Sequence, residues 1–397
     1  MMINSRDKHD NFLIQWMNGQ YLLCGFGISL QSLARKMTND NIDYQIYDDH
    51  THNFVPNWTN VKYVIVSPGI SSSHHILQTA KKKNIEILSD IDLFFMLYEP
   101  QYVIGCTGSF GKSTTVKILH EALNHASSSK FQLCGNIGIP VFDCKPQGKY
   151  IMELSSYQLE HSSKIQLNIG ILLNIYKHHL DRHGSFNQYK KIKQKILHFS
   201  KNKIDVSNDL NTPHEQYSFI SQGAYNAIKR TIYLYMNKST AEQLIHNTLQ
   251  NYKAMPYRCS VSFKNEKYMI INNSKATSVS AIYYSLLQQK KLWKNTQHYI
   301  LLICEKFDVL PENFDQYGLT HVFFIKVNDT SCANFNKYTY VSNLKEAVQK
   351  SYLFVKKSST FTVILYAPGV ISFPQYDNFE HRGKVFDQLI YEITHSA

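Results

Sequence analysis

The stretch "GCTGSFGKSTT" (residues 105–115) joins an apolar run, "YVIGCTG", to a helix-period segment, "KSTTVKILHEAL". Its glycines, Gly105, Gly108 and Gly111, stand three apart. The usual phosphate-loop pattern G-x-x-x-x-G-K-[ST] is missed, because Cys106 occupies its first glycine position. The alternative is a plain glycine turn ending in an ordinary lysine. A strand-to-helix turn is nevertheless where glycines let backbone amides approach phosphate and where the helix N-terminus favours an anion. The context therefore predicts an ATP phosphate loop. Lys112 would reach the β- and γ-phosphates, and the Ser113 hydroxyl would ligate Mg²⁺.

Around this loop, continuous apolar runs recur: "KYVIVSPG", "KYIMELSS", "NIGILLNI", "HYILLICE", "HVFFIKV" and "FTVILYAPG". Continuous hydrophobicity marks strands buried on both faces. Helix-period stretches such as "SNLKEAVQKSYLFVKK" lie between many of them, so the fold class is α/β with parallel, doubly wound sheets. Boundaries are expected near Glu99–Pro100 and Met255–Pro256, while the polar, turn-rich span 200–223 resists assignment.

The 397 residues suffice for two or three domains. Seven scattered cysteines with no C-x-x-C pair point to reduced thiols and a cytoplasmic protein. The start, "MMINSRDKHDNF", has no apolar signal segment, and no run reaches a membrane span. Net charge is +12, but the lysines are dispersed, so we expect no nucleic acid and a mild preference for small anions.

"KHHLDRHG" offers His178, His179, Asp181 and His183, a set that either holds zinc or is a polar loop. In the next segment, "NQYKKIKQKILHF", 100° spacing puts Tyr189, Ile192, Ile196 and Leu197 on one arc with Lys193 in its middle. Lys191 and Lys195 face the other way. A lysine on a buried arc needs neutralising or pairing, unless it snorkels to solvent. "CGFGISL" places Gly25 and Gly27 after a strand, with Leu30 where a dinucleotide fingerprint has its third glycine.

The G-x-x-G-x-x-G-K-[ST]-[ST] spacing resembles that of the Mur ligases and the related folate ligases. "CGNIGIP", "MELSSYQLE", "HHLDRHGSFNQY", "NNSKATS" and "FPQYDNFEHRGKVF" follow in the same order, over nearly the whole chain, and are most similar to the D-glutamate-adding branch. The resemblance implies three domains: an N-terminal Rossmann-like UDP-binding domain (1–98), a central P-loop ATPase-like domain (99–254) and a C-terminal Rossmann-like amino-acid domain (255–397). It implies ATP-dependent joining of D-glutamate to UDP-N-acetylmuramoyl-L-alanine through an acyl phosphate, in a monomer. Two Mg²⁺ sites and a CO₂-derived carbamate on Lys193 belong to that expectation.

Position by position, the resemblance assigns Lys112, His179 and Lys193 to catalysis. Ser113, Glu153, His179 and Lys193 would serve the metals. Gly108, Gly111, Thr114, Asn136, Asn226, Arg258 and Asn273 join Lys112 and Ser113 around ATP. Ile28, Ser29, Asp48, Ser67, Pro68 and Gly69 match the UDP-substrate positions; Lys275, Thr277, Lys306, Ser372 and Phe379 match those for D-glutamate. Several positions depart from the family pattern: Asn273 for an aspartate, Tyr257 for a histidine, His178 for an acidic residue and Phe110 for an asparagine. "LLICEK" lacks a glycine pair, and "QGAYN" keeps only Asn226 of its motif. The span between Lys193 and Asn226 is shorter than in typical relatives by on the order of 40 residues, a loss that connections tolerate better than cores. These departures leave two alternatives open, a non-catalytic Mur-like nucleotide-sugar-binding protein and a related ligase with another amino acid.

Overall fold

The computed structural model describes residues 16–17, 19–49, 54–209, 214–217, 219–253, 255–292, 298–304, 318–325, 337–372 and 374–395. The chain divides into two compact units, Met1–Asn211 with Ile220–Tyr252, and Thr212–Phe219 with Lys253–Ala397.

The first unit holds two parallel sheets. β1 (Gln20–Cys24), β2 (Tyr44–Tyr47), β3 (Val61–Val66) and β4 (Glu86–Ser89) pair in the order β2-β1-β3-β4. α1 (Ile28–Asn39), α2 (His75–Lys82) and α3 (Asp90–Tyr98) connect and follow them. The second sheet takes β5 (Tyr102–Thr107), β6 (Phe131–Gly135), β7 (Lys149–Glu153), β8 (Leu167–Leu172) and β9 (Ser200–Asp205) in the order β6-β7-β5-β8-β9. β5 is central, so the phosphate loop opens from the middle of this sheet, at its C-terminal edge, where open α/β sheets bind ligands. α4 (Lys112–Ala126) follows the loop; α5 (Ser156–His161), α6 (Leu180–His183), α7 (Phe186–His198), α8 (Gln222–Tyr235) and α9 (Lys238–Asn251) complete the unit.

The second unit has a sheet ordered β10-β11-β15-β12-β13-β14, antiparallel at β10–β11 and otherwise parallel. Its strands are β10 (Ser260–Lys264), β11 (Tyr268–Asn272), β12 (His298–Cys304), β13 (His321–Ile325), β14 (Tyr338–Val341) and β15 (Thr362–Tyr366). α10 (Val279–Leu292), α11 (Leu344–Lys357) and α12 (Phe379–His395) are its helices. All six quoted apolar runs and the loop's own run are strands. Part of the unassigned span 200–223 is the edge strand β9, in which Lys201, Lys203 and Asp205 are exposed while Ser200 and Ile204 are buried. Lys195 departs from the expected solvated face. Its Nζ donates to the carbonyls of Leu159 at 2.6 Å, Glu160 at 3.2 Å and Ser162 at 2.6 Å, closing the C-terminal end of α5.

Candidate active site

The phosphate loop is held from outside by side chains. Asn174, just past the end of β8, accepts the Phe110 N–H at 2.9 Å and donates to the Phe110 carbonyl at 3.2 Å. The Ser109 hydroxyl accepts the Tyr176 N–H at 2.9 Å and lies 2.9 Å from the Tyr189 hydroxyl. Gly111 has φ +79°, a left-handed conformation that spares glycine the cost a side chain would bring. At Gly108, an added Cβ would stand 2.9 Å from the Leu173 Cβ. Asn174 was not singled out from the sequence, since one asparagine after an apolar strand carries no pattern.

Two lysines converge on this loop. Lys112 Nζ donates to the Gly108 carbonyl at 2.9 Å and to that of Ser109 at 3.3 Å. Lys193 Nζ, from α7, donates to the same Gly108 carbonyl at 2.9 Å and to the Thr107 hydroxyl at 3.3 Å. Lys193 is 2% exposed, so it is buried and does not snorkel. Burial first, and the Lys112 charge second, hold its amine well below the ordinary lysine range. Two lysine amines thus crowd one carbonyl, and the charge of Lys112 is what an anion at this loop would offset.

Glu153 ends β7 beside β5, opposite Cys106 in register, and is 1% exposed. Asn136 donates its amide to Glu153 Oε1 at 2.8 Å, while Oε2 is buried without a hydrogen-bond partner. Leaving one carboxylate oxygen orphaned inside the protein is costly. An oxygen-seeking cation is the chemistry that would satisfy it, and the Ser113 hydroxyl at the start of α4 is buried as well. Cys106 is fully buried, which pushes its thiol up, so it stays protonated and is no nucleophile.

His179 begins α6 in a left-handed conformation, φ +53°. Its Nδ1 lies 3.0 Å from the Tyr157 hydroxyl, which leaves Nε2 for another partner. Burial, then the Lys112 and Lys193 charges, push its pKa down to about 4, keeping the imidazole neutral as a metal ligand must be. The neighbouring His178 is pushed down to about 3, mainly by burial, and rests edge-on against Phe110 at 6.0 Å. Those two departures from the family pattern thus touch each other. His183 Nε2 lies 3.1 Å from the Ser156 hydroxyl and its Nδ1 3.7 Å from Glu160, and among the described residues no three His, Cys, Asp or Glu side chains gather as a metal site. The zinc alternative has no geometry to support it.

At the β1–α1 turn, Asp48 accepts the Phe26 N–H at 2.7 Å; Ile28 is exposed and Ser67 buried beside that turn. Pro68 and Gly69 turn their carbonyls towards Arg182. In the second unit, Lys275 Nζ sits 3.9 Å from the Phe379 ring centroid. Thr277 is half-buried, and the Ser372 carbonyl accepts the Tyr376 N–H at 3.0 Å. Asn273 is buried and donates to the Ser285 hydroxyl at 2.5 Å, and Asn226 donates to Asp209 at 2.8 Å. Thr114 and Arg258 are half-buried. Lys306 lies outside the described residues.

Residues 106–262 match the Mur ligase middle domain. A protein of Buchnera aphidicola subsp. Baizongia pistaciae named UDP-N-acetylmuramoylalanine–D-glutamate ligase is 30% identical, covering 84% of each chain. The like-named protein of Buchnera aphidicola subsp. Acyrthosiphon pisum is also 30% identical, covering 94% of this chain and 98% of that one.

The chain belongs to the Mur ligase family.

Among solved structures, the UDP-N-acetylmuramate-alanine ligase of Thermotoga maritima is 16% identical, with TM-score 0.55, covering 95% of this chain and all of that one. That likeness extends the Mur ligase architecture to all three sheets. The Acyrthosiphon pisum alignment runs over 446 positions against 397 residues here, so this Mur ligase lacks residues that its relatives carry.

Proposed function

We propose that this Mur ligase joins D-glutamate to the carboxyl group of UDP-N-acetylmuramoyl-L-alanine, consuming ATP, in the making of peptidoglycan precursor. The observation that carries the reading is the meeting of Lys112 and Lys193 at Gly108, in a chain whose relatives bear the D-glutamate ligase name. The substrate carboxylate oxygen attacks the γ-phosphorus, and the bond to the ADP oxygen breaks. The D-glutamate amine then attacks the acyl carbon, an amide forms, inorganic phosphate leaves and the amine loses a proton. Lys112 offsets charge on the transferring group, and the loop amides position it. Bound Mg²⁺ would supply further charge neutralisation, held by Ser113 and Glu153 at one site and by His179 at a second.

The amine nitrogen of Lys193 is a poor ligand for Mg²⁺, which prefers oxygen. Burial, which lowers its pKa, favours the neutral form of the amine that CO₂ needs. The nitrogen bonds the carbon, one proton leaves, and the resulting carbamate offers oxygens. Ile28, Ser29, Asp48, Ser67, Pro68 and Gly69 receive the UDP end within a domain of residues 1–98. Gly108, Gly111, Thr114, Asn136, Asn226, Arg258 and Asn273 receive ATP, mainly in residues 99–254. Lys275, Thr277, Lys306, Ser372 and Phe379 receive D-glutamate in residues 255–397. We place the protein in the cytoplasm as a monomer; among the described residues no helix is long and apolar enough to cross a membrane.

One observation favours a second reading, a non-catalytic nucleotide-sugar binder. Asn273 and Asn226, both assigned to ATP, are committed to Ser285 and Asp209. Phosphate release decides between the two, measured with ATP, Mg²⁺, UDP-N-acetylmuramoyl-L-alanine, D-glutamate and bicarbonate. Release that requires D-glutamate and disappears in Lys193→Ala is the expected result. UDP-substrate binding without turnover would establish the second reading.

A further inference from the structure

Arg182 is the last residue but one of α6, three places after His179, and its guanidinium reaches away from its own helix. Nη1 donates to the Gly69 carbonyl at 2.9 Å, and Nη2 to the carbonyls of Ile70 and, at 3.5 Å, Pro68. Nε donates to Glu160 Oε2 at 3.0 Å, and the plane lies 5.2 Å from the Tyr157 ring centroid. Glu160 is fixed in turn by the Ser72 hydroxyl, and His161 Nε2 lies 2.8 Å from the Ile70 carbonyl. Arg182 and Glu160 have side chains only 11% and 14% exposed, so this pair is not a mobile surface contact.

We infer that Arg182 is a positioning residue that couples the nucleotide-sugar turn, residues 67–70, to the histidine that would hold metal, through Tyr157. The inference rests on the reading of residues 67–70 and His179 given above. Three carbonyls of one short turn are drawn onto a single cation, which sets the plane of each peptide there. The opposite edges of those peptides, the ones a ligand meets, are set with them. The same cation stacks on the ring whose hydroxyl holds His179 Nδ1 and so sets which imidazole nitrogen faces outward. Arginine suits both tasks, because its planar fork spans several acceptors while its face packs on an aromatic ring.

The test uses the full chain, with UDP as binding probe and phosphate release as a function of Mg²⁺ concentration. Arg182→Ala is expected to weaken UDP binding and to raise the Mg²⁺ requirement, each by roughly 10–100-fold, the usual cost of losing a supporting partner. Arg182→Lys, which keeps the charge but not the fork, should recover little of either. Tyr157→Phe keeps the ring and removes only the bond to His179; it should raise the Mg²⁺ requirement and leave UDP affinity unchanged. A wild-type chain that fails to bind UDP would sink the assignment of the turn itself. Normal wild-type binding, with Arg182→Ala unchanged in UDP affinity and Mg²⁺ dependence, would overturn the coupling alone. Loss of melting temperature with both readouts intact would assign Arg182 to packing and overturn it as well.

Discussion

Lys193 carries the conflict at the centre of this site: a buried amine with another lysine beside it, and no acidic partner among its hydrogen bonds. Its folded pKa lies below the ordinary 10.5, so between those two values the unfolded chain binds more protons than the folded one. Stability therefore rises with pH through that window. Lys193→Met should abolish phosphate release yet raise the melting temperature at neutral pH. It should also flatten the stability gain seen in urea titrations at pH 7 and about pH 9.5. A variant less stable than wild type at both pH values would mean that the lysine's hydrogen bonds outweigh its burial.

α5 is six residues long and carries few internal hydrogen bonds, so its ends matter more than its propensity. Ser155 and Gln158 form a capping box at one end, and Lys195 closes the other. Because α5 bears Tyr157 and Glu160, its ends bear on both sides of the proposed coupling. Lys195→Ala removes charge-assisted bonds to three carbonyls and should cost roughly 1–3 kcal/mol in chemical denaturation. A loss below the error of the titration would show that water replaces the lysine without penalty. Helical periodicity identified the arc through Lys193, and it also put Lys195 on an outer face. Periodicity reports direction from one helix axis only and cannot register a neighbouring helix whose carbonyls need a donor.

The phosphate loop and residues 67–70 fall in one compact unit, and the residues assigned to D-glutamate in the other. Multi-unit chains need not melt as one. Differential scanning calorimetry should show ATP with Mg²⁺ and UDP raising the same transition, by about 2.7 kcal/mol at a hundredfold excess over Kd. Lys112→Ala should cancel the shift from ATP and spare that from UDP. An ATP shift that survives Lys112→Ala would remove the loop assignment.

Local pattern alone determined the fold class of this protein: buried parallel strands and a glycine loop between strand and helix. Such signals are legible because strand burial, helix period and loop chemistry are each set within a few neighbouring residues. The polar edge strand β9 escaped that logic, since a strand with one neighbour need not be apolar. Only the tertiary structure decided which side chains meet. Lys193 and Gly108 are 85 residues apart in sequence, and Arg182 and Gly69 are 113 apart. Their contacts arise because the order β6-β7-β5-β8-β9 brings α7 against the central loop, and because α6 packs beside the β3 turn. Neither Asn174 nor Arg182 has a periodic signature. What each does depends on carbonyls and amides supplied by segments far away in sequence, which only folding brings within reach.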